Sequence, residues 1–190
     1  MSKENYREAV ANYEPFSEEE IAEKGLAELY VDKFSDIVYR NNRLVHLTTS
    51  AFIVNPERDK VLMVYHNIYD SWSWVGGHCD GEDIPLDNAI KEMKEETGVE
   101  NFKIVSEKPI SLNLLTVKSH YSGNKYIVPH IHLDLTYLFE VSEDENIRIK
   151  EDENSDIGWI KFSEVSEKSS EPHMIPIYEK IIDRVEREFK

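Results

Sequence analysis

The sequence has little cysteine, no long apolar run and few basic residues. Cys79 is the only cysteine among 190 residues, so no intrachain disulfide can form, and we expect a reducing cytoplasm. No apolar run approaches the roughly 18 residues of a membrane-spanning helix. The first ten residues lack the apolar stretch of a secretory signal. The expectation is a protein without a membrane partner.

Basic residues are outnumbered by acidic ones, 22 against 38, which gives a formal net charge of −16. A surface of that sign repels nucleic-acid phosphates and anionic lipid, so a nucleic-acid partner is not expected. It also repels a small phosphorylated substrate unless metal ions neutralise the binding site. For most of the acidic residues, solubility alone explains the charge.

The N-terminal 42 residues have helical character. Ser17 and Glu20 fit a capping box, and apolar residues at helical spacing follow them. The predicted apolar stripe consists of Ile21, Leu26, Leu29, Tyr30, Phe34, Ile37 and Val38. We expect residues 1–42 to form a helical extension that packs on the following domain. A contact in a homodimer is the alternative.

Residues 43–190 predict one α/β domain. Strands are indicated by β-branched and alternating segments at 44–54, 60–65, 72–75, 102–107, 110–118, 131–141 and 157–162, with a further short strand suggested at 147–149. Helices are indicated at 85–97 and 175–189. Pro85 suits the first position of the first of these helices, and Gly98 suits its C-terminal end.

Three carboxylates stand out on the helix that starts at Pro85. Glu92, Glu95 and Glu96 occupy positions i, i+3 and i+4, so they lie on one side of the helix. Clustered negative charges repel one another, and hard divalent cations prefer oxygen ligands. A metal site explains this cluster. A solvated helix face, partnered by Lys91 and Lys94, is the alternative when the cluster is taken alone.

The surrounding stretch resembles the Nudix box, G-x5-E-x7-R-E-U-x-E-E-x-G-U, in which U is aliphatic. The matching residues begin with Gly77, continue through Asp83 and end with the run from Lys91 to Val99. The spacing is intact. Asp83 replaces the usual Glu and Lys91 the usual Arg. Glu82 beside Asp83 offers a longer carboxylate, whereas Lys91 lacks the bidentate fork of arginine.

This resemblance implies a Nudix-like α/β/α sandwich with a mixed sheet. It also implies a hydrolase of nucleoside diphosphates linked to another moiety, dependent on Mg²⁺ or Mn²⁺. By motif position, Glu92, Glu95 and Glu96 are the metal ligands, with the Gly76 carbonyl as a further one. Metal ions neutralise a diphosphate and activate water, and a carboxylate then removes the proton of that water.

The identity of the general base is open. Glu95 and Glu96 are the candidates within the box. Glu153 lies in the acidic loop before the last strand, where Nudix proteins often place an additional ligand or base. Asp152 and Asp156 compete with Glu153 for this role.

Substrate contacts are predicted outside the carboxylate cluster. His130, His132 and Asp134 share one face of a strand; they could contact substrate, hold a second metal or form the wet side of the sheet. His78 could contact phosphate or cap the glycine turn. Trp74, with Trp72 and Tyr69, could stack on a base or sugar or belong to the core. A nucleophilic role for Cys79 is not expected.

The leading hypothesis is a Mg²⁺-dependent pyrophosphohydrolase that acts on a small nucleoside diphosphate-type compound. The alternative hypothesis, from a different class of function, is a Nudix-fold binding or sensor module without turnover. The departures from the box at Asp83 and Lys91 are the reason for considering it. An isopentenyl-diphosphate isomerase shares the fold and uses a Cys and a Glu, but Cys79 lies inside the glycine turn and not in a separate motif.

Overall fold

The computed structural model of the protein describes residues 3–190, with the backbone alone at Ser122. Its helices are α1 (Glu4–Ala11), α2 (Glu18–Lys33), α3 (Pro85–Thr97), α4 (Val165–Lys168) and α5 (Ile175–Glu188). Its strands are β1 (Val45–Val54), β2 (Lys60–His66), β3 (Ser71–Ser73), β4 (Val75–His78), β5 (Lys103–Ile104), β6 (Ser111–Val117), β7 (His120–Ser122), β8 (Lys125–Ile127), β9 (His130–Glu140) and β10 (Asn154–Lys161).

A mixed sheet forms the centre of the fold. The strand order is β10-β2-β1-β9-β5, with β3 paired to β2, β4 to β1 and β6 to β9. Strands β1 and β9 run parallel over their whole paired length, whereas the other pairs are antiparallel. Helices α1 and α3 contribute to the core on one face, and α5 contributes to the core on the other. The predicted α/β/α sandwich is confirmed.

The wet side of the sheet, one of the three alternatives for the polar face of β9, does not describe the central residues of this strand. Strand β9 lies between β1 and β6, and every residue from Leu133 to Phe139 is buried. This alternative is wrong there because alternation reports which side chains share a face, not whether solvent reaches that face. The polar side chains between Leu133 and Phe139 must therefore find partners inside the protein.

The N-terminal helices pack on the domain. Tyr6 and Val10 of α1 are fully buried. The Lys180 ammonium of α5 contacts the buried Glu20 carboxylate of α2 at 2.8 Å. The Ser17 hydroxyl accepts the predicted bond from the Glu20 N–H at 3.3 Å. The Glu20 carboxylate, however, accepts from the Phe16 N–H and so does not complete the capping box.

The N-terminal part of the predicted apolar stripe is wrong, whereas Tyr30 and Phe34 pack against the core and Ile37 and Val38 are buried. Ile21 and Leu29 are 63% and 51% exposed, whereas Glu20, Ala27 and Val31 are buried. The ion pair of Glu20 with α5 turns this side of the helix inward, which rotates Ile21 and Leu29 toward solvent.

Local signals placed α3 correctly. The helix begins at Pro85, and Gly98 at its end adopts the left-handed conformation with φ of 68°. The predicted strand at 147–149 is instead part of an irregular loop. Among residues 3–190, no helix combines the length and the apolar character needed to cross a bilayer.

Candidate active site

Two adjacent glycines of strand β4 allow close approaches, Gly77 to α3 and Gly76 to β1. A Cβ atom on Gly77 would lie 2.5 Å from the Glu92 carboxyl carbon, and one on Gly76 would lie 2.6 Å from the Thr49 carbonyl oxygen. Such distances are far below van der Waals contact. The backbone can therefore pass beside Glu92 only because Gly77 carries no side chain, and it can pair this closely with β1 only because Gly76 carries none.

Glu96 is held inside the same junction. Its side chain accepts hydrogen bonds from the Gly76 N–H and from the Asn154 amide, both at 3.1 Å, and the residue is 4% exposed. Burial raises the pKa of Glu96 to about 7. Burial also raises the pKa of Glu92, whose carboxylate contacts the Lys91 ammonium at 3.4 Å. Two carboxylates thus converge with little compensating positive charge.

The other carboxylates predicted for the site lie at its solvent side. Glu95 is on the exposed face of α3. The Glu153 carboxylate accepts a bond from the Lys150 ammonium at 2.8 Å, and the charges of Glu92 and Glu153 both add to the raised pKa of Glu96. Asn154, next to Glu153 in sequence, was not anticipated because no local pattern marks it.

Of the two departures from the box, one precedes α3 and the other lies in the middle of this helix. Asp83 is exposed at the entry to α3, and its backbone N–H donates to the Glu82 carboxylate at 2.9 Å. Glu82 thus accepts a backbone N–H where the helix starts. Lys91 makes a single contact to Glu92 and is otherwise half exposed. Asp83 keeps the negative charge of the usual Glu, and Lys91 keeps the positive charge of the usual Arg.

A cavity of about 470 Å³ opens next to β4. Cationic, imidazole and aromatic side chains line it, including Arg40, Arg43, Lys125, His46, His78, His120, His130, His132, Tyr69 and Tyr126. The Arg40 guanidinium pairs with Asp80, and the charges of Glu92 and Glu153 add to the raised pKa of Arg40. Arg40 therefore lines the cavity and also feels the charges of the carboxylates. In a chain of net charge −16, such a lining favours an anionic ligand.

Comparison with known proteins identifies the family. The sequence model of the NUDIX domain matches residues 44–181, which is most of the chain. The chain belongs to the Nudix family.

One relative of this Nudix chain is the probable DHNTP pyrophosphohydrolase of Lactococcus lactis subsp. cremoris. It is 31% identical over 101 residues, which are 53% of this chain and 57% of the relative. The chain thus matches less than two thirds of that relative's length.

Solved structures share the fold. A NUDIX-family hydrolase from Clostridium perfringens superposes with a TM-score of 0.54 at 24% identity, covering 75% of this chain and 97% of the other. The dihydroneopterin triphosphate pyrophosphohydrolase of E. coli gives a TM-score of 0.55 at 14% identity, covering 72% and 94%.

Two residues predicted to contact substrate in this Nudix chain lie away from the cavity. Asp134 is 1% exposed and accepts hydrogen bonds from the hydroxyls of Thr48, Ser50 and Thr136 at 2.8–2.9 Å. Trp74 packs edge-on against Tyr178, with ring centroids 5.5 Å apart. The carboxylate is therefore a structural acceptor, and the indole belongs to the core.

His78, His130 and His132 do line the cavity, and His46 of β1 joins them. Burial and the neighbouring cationic groups lower the pKa of His78 to about 4 and that of His132 to about 2. Both imidazoles are neutral near pH 7. His46 was not identified from the sequence as a site residue. A signal was present, because the polar residues His46, Thr48 and Ser50 alternate along β1 just as the polar residues of β9 alternate along that strand.

Cys79 is a buried structural thiol. It is 2% exposed, accepts a hydrogen bond from the Tyr6 hydroxyl at 2.8 Å, and burial raises its pKa. A buried thiol whose pKa is raised is a poor nucleophile. This position agrees with the expectation from sequence.

Proposed function

We propose that this Nudix chain is a cytoplasmic, metal-dependent pyrophosphohydrolase that cleaves the diphosphate bond of a small nucleoside diphosphate-linked compound. The observation that carries the proposal is the convergence of Glu92 and Glu96 on Gly76 and Gly77 of β4. These buried carboxylates have raised pKa values and lie near a cation-lined cavity.

The residues present fit a hard divalent cation. Glu92, Glu95 and Glu96 offer carboxylate oxygens, and the Gly76 carbonyl offers a further oxygen. This all-oxygen set suits Mg²⁺ or Mn²⁺. A cation relieves the electrostatic cost of burying carboxylates, which is the cost that raises their pKa values. When bound, the metal supplies charge neutralisation of the diphosphate and activation of water.

The chain's own residues would position this chemistry. The Gly76 N–H and the Asn154 amide fix the orientation of the Glu96 carboxylate. Glu95 and Glu153 lie at the solvent side, where a carboxylate can accept the proton of an attacking water. Arg40 lines the cavity and would offset the charge of the phosphates.

The cavity supports a small substrate. Its volume of about 470 Å³ falls within the range of about 300–1,000 Å³ that is typical of small-molecule sites. Tyr69 and Tyr126 in its lining offer rings to a base. A pterin triphosphate is a second candidate, because the Lactococcus relative is described as a probable DHNTP pyrophosphohydrolase.

The test is a panel of nucleotide sugars, ADP-ribose, nucleoside triphosphates and dihydroneopterin triphosphate, incubated with Mg²⁺ and assayed for released phosphate-containing products. We expect cleavage of one class by the wild type and loss of at least 100-fold in kcat/KM for Glu96→Gln. Arg40→Ala should raise KM more than it lowers kcat, because it removes ground-state binding.

Glu167→Gln, on the exposed side of α4, is the matched control and should keep wild-type turnover. A Glu96→Gln variant as active as the wild type would remove the carboxylate cluster from the mechanism. Tight binding of one compound without cleavage of any would favour the sensor module.

A further inference from the structure

Four histidine rings from three strands gather at the base of the cavity, and the proposed hydrolase chemistry does not use them. They are His46 of β1, His78 of β4, and His130 and His132 of β9. The ring centroid of His46 lies 4.7–5.0 Å from the centroids of the other three rings. Four of the seven histidines in the chain therefore share one small region.

Backbone carbonyls fix the orientation of two of these rings. The Nδ1 atom of His46 lies 3.0 Å from the Asn42 carbonyl oxygen, and that of His130 lies 2.9 Å from the Val128 carbonyl oxygen. A carbonyl can only accept, so in each ring Nδ1 carries the proton. In the neutral form of either ring, the Nε2 atom then has a free lone pair.

The ring nitrogens of these histidines lie close together. The Nε2 atoms of His130 and His132 are 3.1 Å apart, and the available nitrogens of His46, His130 and His132 all lie within 4.8 Å of one another. The Nε2 atom of His46 is buried and has no hydrogen-bond partner in the described part of the chain. A buried acceptor without a partner costs folding free energy. We therefore expect a bound ligand to pair with this nitrogen.

A metal ion satisfies this arrangement. Histidine ligands commonly donate their second ring N–H to a backbone carbonyl, which fixes the tautomer. Tetrahedral nitrogen ligands at about 2.0–2.1 Å from Zn²⁺ lie roughly 3.3 Å apart. The His130 and His132 nitrogens are already 3.1 Å apart, and the other pairs, which lie within 4.8 Å, would move together when the metal binds. We propose that His46, His130 and His132 form an imidazole site for Zn²⁺ or a similar borderline divalent metal.

This site is separate from the carboxylate site. Consecutive strand residues point to opposite faces of a sheet. On β4, Gly77 faces the Glu92 carboxylate, whereas the ring of the next residue, His78, lies beside His46 and His132. The three nitrogen ligands include no carboxylate, so the site disfavours Mg²⁺ and selects metals that prefer imidazole. The carboxylate site has the reverse preference.

The histidine site opens onto the cavity, so a metal bound there can take a further ligand from the cavity. All three histidines line the cavity, so a fourth coordination position opens toward it, as in zinc sites with three protein ligands. Arg43 and Lys125 belong to the same lining. The open position would accept water or an oxygen anion of the phosphate class. This inference does not depend on the hydrolase reaction.

Equilibrium dialysis of chelator-stripped protein against Zn²⁺, in excess Mg²⁺, tests the proposal. We expect one tightly bound Zn²⁺ per chain. His46→Asn and His132→Asn should each weaken Zn²⁺ binding by at least 10-fold, because each removes one of three ligands. His173→Asn, at an exposed histidine, is the matched control and should keep wild-type affinity. Far-UV circular dichroism checks that each variant is folded.

Co²⁺ substitution of the wild type gives a readout that needs no variant. Co²⁺ in a four-coordinate histidine site absorbs visible light much more strongly than octahedral aqueous Co²⁺, so the intense spectrum should appear and Zn²⁺ should abolish it. Absence of this spectrum, or Zn²⁺ binding that the histidine substitutions leave unchanged, would overturn the proposal.

Glu96→Gln separates the two sites. This variant should lose turnover and keep its Zn²⁺, so failure of the hydrolase proposal and failure of the histidine site give different results. Loss of Zn²⁺ binding in Glu96→Gln, with retention in His132→Asn, would assign the Zn²⁺ to the carboxylates and refute the histidine site.

Discussion

Replacement of Glu96 by glutamine should stabilise the protein when no metal is present. Glu96 is buried, and burial raises its pKa from the ordinary value of 4.5 to about 7. At about 1.4 kcal/mol for each pKa unit, ionisation of this carboxyl in the folded state costs about 3 kcal/mol above pH 7. Glutamine removes the charge and keeps the shape of the side chain.

Hydrogen bonding need not be lost in this substitution. Both carboxylate oxygens of Glu96 accept bonds, one from the Gly76 N–H and one from the Asn154 amide. The Asn154 amide oxygen is buried without a hydrogen-bond partner in the described residues. If the Asn154 amide turns over, this oxygen can accept from the new side-chain N–H. We therefore expect a net gain of roughly 1–3 kcal/mol at pH 8.

The pH dependence of stability shows at which pH values the Glu96 carboxyl destabilises the folded chain. Below pH 4.5 the Glu96 carboxyl is protonated in both folded and unfolded chains, so it adds no cost. As the pH rises from 4.5 to about 7, the unfolded chain releases this proton first, and the stability of the wild type falls. Glu96→Gln lacks this part of the pH dependence, so its advantage should be present at pH 8 and absent at pH 4.5.

Urea unfolding in EDTA at both pH values measures the difference. Glu95→Gln, at an exposed position of the same helix, is the control and should change stability by less than about 0.5 kcal/mol. Saturating Mg²⁺ should reverse the order, since a ligand at 100 times its Kd stabilises the binding-competent wild type by about 2.7 kcal/mol. A Glu96→Gln variant destabilised equally at both pH values in EDTA would refute the electrostatic reasoning.

Two further substitutions test the packing around the site. Gly77→Ala should lower kcat/KM by roughly 10- to 100-fold, because its Cβ would displace the Glu92 carboxylate. Gly158→Ala, whose Cβ would meet Trp72 at an ordinary 3.7 Å, is its control, and equal activity of both variants would contradict the close approach. Lys180→Met should reduce the free energy of unfolding by about 2–4 kcal/mol in urea, because it leaves the Glu20 carboxylate buried without its cation. A loss no larger than that of an exposed lysine, Lys161→Met, would show that the pair does not anchor α2.

The sequence by itself determined the chemistry of α3 and its ends. Pro85 and Gly98 act through their own backbone geometry, and the spacing of Glu92 and Glu96 puts both on one side of any helix. These properties depend on neighbours within a few residues. The fold class followed from the same box and from the alternation of the strands, and the mixed sheet with flanking helices agrees with it.

Tertiary structure alone decided which distant residues meet. The parallel pairing of β1 with β9 brings His46 opposite His132, although they are far apart in sequence. The bulge in the pairing of β10 with β2 occurs beside Asn154, which reaches Glu96. The same packing buries Asp134 among hydroxyl groups and turns Ile21 outward. Periodicity assigns a side chain to a face, but only the pairing register and the covering helix determine what that face contacts.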